Sequence, residues 1–260
     1  MKVHQLFLHP VKSASAISVD ELLYDSVGPI NDRQWMVIKP NGQFLTQRVA
    51  PTMCLIQPSI VNNQLRLSAP SMPDIHVAEP EIEVDVRVWS DTVAAGDCGD
   101  DVSMWLSSYL TMPCRLVSVV SNTHRPVDEN FSGSEDTVRF ADGFPTLVVS
   151  KESLDNFNSN LEANIDMRRF RPNIVVSGCD AFDEDNWKAV KIRDIEFQLV
   201  KPCSRCIMPS INPDTAAKEM AVNDALIATR RIGRNTYFGQ NAIHRGEGTI
   251  AIGDEVVILS

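Results

Sequence analysis

Glu81-Ile82-Glu83-Val84-Asp85-Val86-Arg87-Val88-Trp89 alternates charged and apolar side chains without a break. A period of two places Ile82, Val84, Val86 and Val88 on one side of an extended chain and their charged neighbours on the other. The stretch therefore reads as a strand with one face buried and one in water. Outward from it the first 120 residues continue in the same manner. Gln34–Lys39 and Gln43–Arg48 flank Asn41-Gly42, a hairpin signal, and Asn62-Asn63 separates the apolar stretch 53–61 from Leu65-Arg66-Leu67. Asp100-Asp101 offers an N-cap for a short helix over Val102–Leu110.

Beyond residue 120 the composition shifts. Ser121–Gly143 is polar and reads as a linker or long loop. Leu147-Val148-Val149 is a buried strand running into Ser150, which caps a helix starting at Lys151. Residues 173–177, 190–200 and 249–259 read as strands, and Ala216–Ile232 as one helix closed by Gly233. The expected fold is mainly β, or α+β. Short strands with a few helices suggest a β-barrel or α+β domain (121–260) behind an all-β N-terminal domain (residues 1–120).

The chain has 260 residues, 43% of them hydrophobic, and a net charge of −10. Basic residues number 8 against 13 acidic in residues 1–120, and 16 against 21 in residues 121–260. An evenly acidic surface argues against nucleic acid or an anionic membrane as the main partner. No apolar run approaches the roughly 18–20 residues a membrane helix needs. The N-terminal apolar patch is too short for a signal peptide, so the expected setting is the cytoplasm, with the six cysteines reduced.

The densest chemistry is Lys201-Pro202-Cys203-Ser204-Arg205-Cys206-Ile207-Met208-Pro209, followed by Asn212-Pro213-Asp214-Thr215. A lone Cys-x-x-Cys leaves several readings open. Structural zinc wants a second pair, which is lacking, and a thioredoxin-like pair would open a helix, whereas Pro202, Pro209 and Pro213 favour a loop. A buried cysteine beside a chance neighbour is the plain alternative. Arg205 between the two thiols would favour a thiolate, a soft metal ligand or nucleophile.

Basic residues stand in unusual places for so acidic a chain: Lys12-Ser13, Arg33, Arg168-Arg169-Phe170-Arg171-Pro172-Asn173, and Arg230, Arg231 and Arg234 around Gly233. Taken with a helix N-terminus at Ser150, they would suit a buried anion such as a phosphate. Neither standard glycine-rich nucleotide loop is present, nor a Gly-x-Ser-x-Gly elbow, nor a His-Glu-x-x-His zinc helix. His9 reads as a packed histidine near a pocket, and Trp35, Trp89, Trp105 and Trp187 as core.

These strings occur in a familiar order. His-Pro-Val-Lys-Ser (9–13), Asp-Arg-Gln-Trp (32–35), Leu-Thr-Gln-Arg (45–48) and Asp-Cys-Gly-Asp (97–100) come first. Phe-Arg-Pro-Asn-Ile-Val-Val-Ser-Gly (170–178), Cys-Ser-Arg-Cys (203–206), Asn-Pro-Asp-Thr (212–215) and Phe-Gly-Gln-Asn (238–241) follow. The chain resembles the MOSC superfamily, in particular the two-domain group of the YcbX-like proteins and the mitochondrial amidoxime-reducing components, which implies an N-terminal β-barrel-like domain packed on a MOSC β-barrel domain.

The resemblance implies a molybdenum cofactor, with Cys206 as the metal's protein ligand and the residue that carries catalysis. It implies that Lys12, Ser13, Arg33, Ser150, Arg171, Asn173, Ser204 and Arg205 contact the pterin or its phosphate, and that Cys203 merely supports the loop. The implied activity is reduction of small N-hydroxylated compounds (hydroxylaminopurines, amidoximes, N-oxides). The chain ends after its last strand, without the iron–sulfur domain of some relatives. Electrons are therefore expected from a separate ferredoxin- or flavoprotein-type donor. The proton donor stays open, Asp214 or a water being the candidates. The alternative is a carrier that holds the cofactor, or a persulfide on Cys206, without turnover. His9 stands where the family often has tyrosine.

Overall fold

The alternating stretch forms the strand Ile82–Val88, paired with Asp91–Asp97 across a two-residue turn at Trp89-Ser90. This is a computed structural model and describes residues 1–133 and 136–260. Val86 and Val88 are fully buried, while Ile82 projects into solvent. The hairpin belongs to a four-stranded sheet completed by Arg115–Ser118 and Trp35–Ile38. Helix α1 (Asp100–Leu110) packs Val102, Trp105 and Leu106 into a core with Val37, Leu45 and Leu116.

The larger unit is a nine-stranded sheet whose order runs Val256–Ile258, Ala189–Ile192, Ile195–Arg205, Asn235–Arg245, Thr146–Ser150, Ile174–Ser177, Lys2–Leu8, Ile17–Val19, with Arg231–Ile232 paired on the fourth. Both faces are covered, which is why Thr146–Ser150 reads as a continuous apolar run. Val148, Ile174 and Val176 point into one core with Phe197 and Ala242. Leu147, Val149 and Val175 point into another, with Phe157, Phe170 and Phe238, beneath helices α2 (Lys151–Asn158) and α3 (Met220–Arg230). Gly239 lets the sheet close up here: at φ +76 it leaves no room for a Cβ, which would lie 2.8 Å from the Val148 carbonyl oxygen.

The fold of the described residues is mostly β with three α-helices. Among the described residues the sheets run as open paths. No helix of the described residues is long and apolar enough to cross a membrane. The strand Lys2–Leu8 pairs antiparallel with Ile174–Ser177, so the chain's beginning is built into the large sheet. That pairing delivers His9–Ser13 beside Pro172 and Asn173.

Several local expectations change. Asn41-Gly42 makes its turn, with Lys39 N–H donating to the Gln43 carbonyl (2.8 Å) and Leu45 N–H to that of Val37 (2.7 Å), but only one bridge (Ile38 to Phe44) follows, because Gly42 and Phe44 bond the backbone of Arg87. Asp100 and Asp101 lie within α1 and Gly99 caps it without a side-chain bond. The stretch 121–143, of which residues 134 and 135 lie outside those described, is tied into the fold by Arg125 and Phe140, both buried. The helix expected over 216–232 is only Met220–Arg230, and Gly233 turns a hairpin rather than closing it. Residues 201–205 are strand, not loop. The register slips on both sides of Pro202, which absorbs a residue that cannot donate to the ladder.

Candidate functional site

Where Lys2–Leu8 ends, the backbone is pinned to the second sheet: Lys12 N–H donates to the Trp35 carbonyl at 2.8 Å and Trp35 N–H to that of Pro10 at 3.0 Å. Asp32, 4% exposed, gathers the neighbouring groups. Its carboxylate accepts from the His9 backbone N–H (2.9 Å), from the Asn173 amide (3.0 Å) and from Arg33. Arg33 also donates to Asn173 Oδ1 (3.0 Å) and to the Arg171 carbonyl (3.1 Å). Ser13 (φ 67), Arg33 (φ 47) and Arg171 (φ 54) all hold left-handed backbone, uncommon for non-glycine residues. Strain of this kind clusters where function over-determines geometry.

The cations here are crowded. Lys12 Nζ donates to the Phe140 carbonyl (2.8 Å) and to Asp142 Oδ1 (2.5 Å), and burial lowers its pKa to about 8 against that pairing. Arg171 is lowered to about 10, first by burial and then by the charge of Arg33. Burial within the cavity walls would raise the Asp142 carboxyl, but the Lys12 charge and hydrogen bond, with Trp89 and Arg48, hold it well below the usual carboxylate range. Its side chain is 67% open to the cavity, so the cations outweigh desolvation. Arg125 stitches 121–143 to this floor, pairing with Asp91 (2.8 Å) and donating to the carbonyls of Arg139, Ala141 and Asp142.

The strand Ile195–Arg205 brings the two thiols to the same place. Cys203 packs at the edge of the phenylalanine core, and burial pushes its thiol up. Cys206, one residue past the strand, is exposed. Arg205 does not turn toward it. Its guanidinium donates to the carbonyls of Phe170 (2.9 Å) and Phe238 (3.0 and 2.6 Å) and lies over the Phe170 ring. The cation that reaches Cys206 is Arg48, whose Nε–H donates to Sγ at 3.4 Å.

These groups surround one cavity of about 810 Å³. Lys12, Ser13, Arg33, Arg171, Asn173, Ser204, Arg205 and Cys206 all line it. Ser150 does not. It is fully buried, its Oγ accepts from the Ser153 N–H at 3.1 Å as the N-cap of α2, and Glu184 takes the Ser150 N–H (3.1 Å) and the Ser153 hydroxyl (2.9 Å). A carboxylate of the chain itself already occupies the helix N-terminus where a bound anion was expected. Arg230, Arg231 and Arg234 are also absent from the lining, Arg230 being paired with Asp185. Asp214 pairs with Arg168 (2.9 Å) outside the cavity, so it is no proton donor there. Trp89, expected in the core, is 49% exposed on the wall, with Nε1–H donating to Asp142 (3.2 Å). His9 is packed, its Nε2 against the Pro172 carbonyl.

The lining carries eight lysines and arginines against three aspartates, in a chain whose net charge is −10. Its donors suit an anionic, hydrogen-bonding ligand that takes one bond from a soft sulfur. Among the described residues no three His, Cys, Asp or Glu side chains gather as a metal cage, so a metal here would be held largely by something other than protein. From sequence, Arg48, Arg125 and Asp142 have no place in the site and Trp89 reads as core. Only Arg48 left a trace, as the last residue of Leu-Thr-Gln-Arg.

Residues 1–113 match the family described as MOSC N-terminal beta barrel domain, and residues 135–257 that described as MOSC domain. The chain belongs to the MOSC superfamily. Within it, the chain is 32% identical over 278 residues to mitochondrial amidoxime-reducing component 1 of Mus musculus, covering 99% of this chain and 82% of that protein. Identity and coverage are the same for the Homo sapiens component 1. Component 2 of Rattus norvegicus is 35% identical over 228 residues, 82% of this chain and 67% of its own length. A crystal structure of the YUAD protein of Bacillus subtilis aligns over 98% of this chain and 93% of its own, at TM-score 0.45 and 12% identity, a likeness too slight to add to the assignment. The names of the relatives correct one expectation: they are mitochondrial proteins, so the cytoplasmic setting read from the N-terminus does not hold.

Proposed function

We propose that the cavity holds a molybdenum cofactor and that the chain reduces small N-hydroxylated compounds with electrons from a separate donor protein. The observation that carries this is the exposed Cys206 thiol on the wall of a strongly basic cavity. Bound there, the cofactor supplies the two-electron chemistry that converts N–OH and two protons to N–H and water. The chain's own residues bind, orient and neutralise. Cys206 contributes the soft ligand. Lys12, Arg33 and Arg171 outnumber the two carboxylates, Asp142 and Asp32, that pair with the first two, and draw the phosphate and pterin oxygens. Ser13 and Ser204 supply shorter-range hydrogen bonds, while Asn173, its amide committed to Arg33, Asp32 and the backbone of Phe7 and Leu147, holds Arg33 in place at the wall. Arg205 fixes the wall, clamping the carbonyls of Phe170 and Phe238 so that the strand end cannot drift.

The substrate class and the separate donor rest on the kinship with amidoxime-reducing components. A reduced dye as electron source, with an N-hydroxylated purine and an amidoxime as substrates, tests the activity. Reduction of either, coupled to dye oxidation at two electrons per product, supports the reading. Molybdenum-loaded protein that oxidises no dye with either compound would favour a carrier.

A further inference from the structure

Arg48 stands on a rigid turn. Leu45 N–H donates to the Val37 carbonyl at 2.7 Å, and the buried Gln47 side chain donates to the Ser13 carbonyl at 2.8 Å. The backbone N–H groups of Val49 and Ala50 both return to the Thr46 carbonyl at 3.0 Å. From this turn the guanidinium lies 5.1 Å from the centre of the Trp89 ring, while its Nε–H points at Cys206 Sγ. Trp89 is fixed in turn. It holds left-handed backbone (φ 58), its ring meets Phe44 edge-on at 5.0 Å, and its indole N–H bonds Asp142, which Lys12 anchors. The chain Lys12–Asp142–Trp89–Arg48–Cys206 thus crosses the cavity wall from the buried lysine to the exposed thiol. Every link is a side chain with a stated partner.

We infer that Arg48 is the positioning residue for the Cys206 sulfur, aiming its lone pairs and withdrawing charge from it through a charge-assisted N–H···S bond, with Trp89 as the platform that holds the guanidinium in place. The inference rests on the reading of Cys206 as the molybdenum ligand. Hydrogen bonds to a ligating sulfur set its donor strength and, through it, the reduction potential of the metal. A donor on the sulfur favours the more electron-rich, reduced metal, so its removal lowers the potential. The neighbour Arg205 does not take over, because its guanidinium is held away from Cys206 on the carbonyls of Phe170 and Phe238.

The test uses the molybdenum-loaded protein and compares R48Q, R48K and W89F with the wild type and with C206A. The readouts are the molybdenum-to-protein ratio, the sulfur-to-metal charge-transfer absorption, the midpoint potential, and kcat and KM taken separately. R48Q should keep most of its metal, shift the absorption, lower the potential, and reduce kcat by about 10- to 100-fold with little change in KM. R48K restores the charge without the fork and should fall between R48Q and wild type. W89F loses the indole bond to Asp142 and should shift the absorption in the same direction by less. An R48Q protein with wild-type absorption and potential overturns the inference. If R48Q retains no metal, W89F decides in its place: wild-type absorption and potential in W89F overturn the inference equally. C206A separates the two ideas, since absorption persisting there removes Cys206 as ligand whatever Arg48 does.

Discussion

The imidazole Nε2 of His9 meets the carbonyl oxygen of Pro172 at 2.9 Å, tying the end of the first strand to the backbone that carries Arg171 and Asn173. The ring is wholly buried, and burial, then the charges of Arg33 and Arg171, lower its pKa well below 6.5. In the folded protein it therefore stays neutral, whereas the unfolded chain takes up a proton once the pH drops below about 6.5. Stability is present above that value and declines as the pH falls beneath it, by up to about 1.4 kcal/mol per pH unit from this ring. Denaturant titrations from pH 7 to 5 should show a shallower slope for His9→Gln, whose amide can still donate to Pro172. A residual slope belongs to His244, shifted the same way chiefly by burial.

Lys12 gives the opposite dependence in binding. With its pKa lowered to about 8, it is charged at pH 7 and neutral at pH 9. Inorganic phosphate, titrated calorimetrically into protein freed of cofactor, should bind more weakly as the pH rises through 8. Lys12→Gln should bind phosphate roughly 10- to 100-fold more weakly at pH 7, the worth of one charge-assisted bond, and show no step near pH 8.

Asp32 holds the site together without lining the cavity. Asp32→Ala would leave Arg33 unneutralised and two further donors without their acceptor. Breaking a buried pair from one side costs about 3–5 kcal/mol, measurable as a fall in the urea midpoint.

Ser150 distinguishes capping from cofactor binding. Ser150→Ala should destabilise by about 1 kcal/mol through loss of the α2 cap while leaving cofactor content at the wild-type level. Ser204→Ala, at the cavity wall, should do the reverse.

The strands at 82–88, 146–150 and 174–177 were legible because their periodicity reports burial on one face or on two. So was the Ser150 cap, a matter of local chemistry. What could not be read locally is partnership. The Asn41-Gly42 turn promised a regular hairpin, but its return arm bonds Arg87, more than forty residues away, while Trp35–Ile38 pairs along its other edge with Arg115–Ser118. Arg205 was placed beside Cys206 by sequence, yet a strand sends neighbouring side chains to opposite sides, and the guanidinium found two carbonyls across the sheet. Arg48, 158 positions away in the chain, reached the sulfur instead. Asp142 and Trp89 gave no signal because an aspartate in a polar loop and a tryptophan ending a strand have ordinary structural uses. The cavity that unites them draws its lining from distant parts of the chain, Lys12, Trp89, Asp142 and Cys206 among them.

The most direct measurement is the molybdenum content of matured protein, taken for wild type, Cys203→Ala and Cys206→Ala from one host able to make the cofactor. The account predicts about one molybdenum per chain in the wild type and in Cys203→Ala, and a near-complete loss in Cys206→Ala. Wild-type protein without molybdenum, or Cys206→Ala that keeps it, would contradict the account.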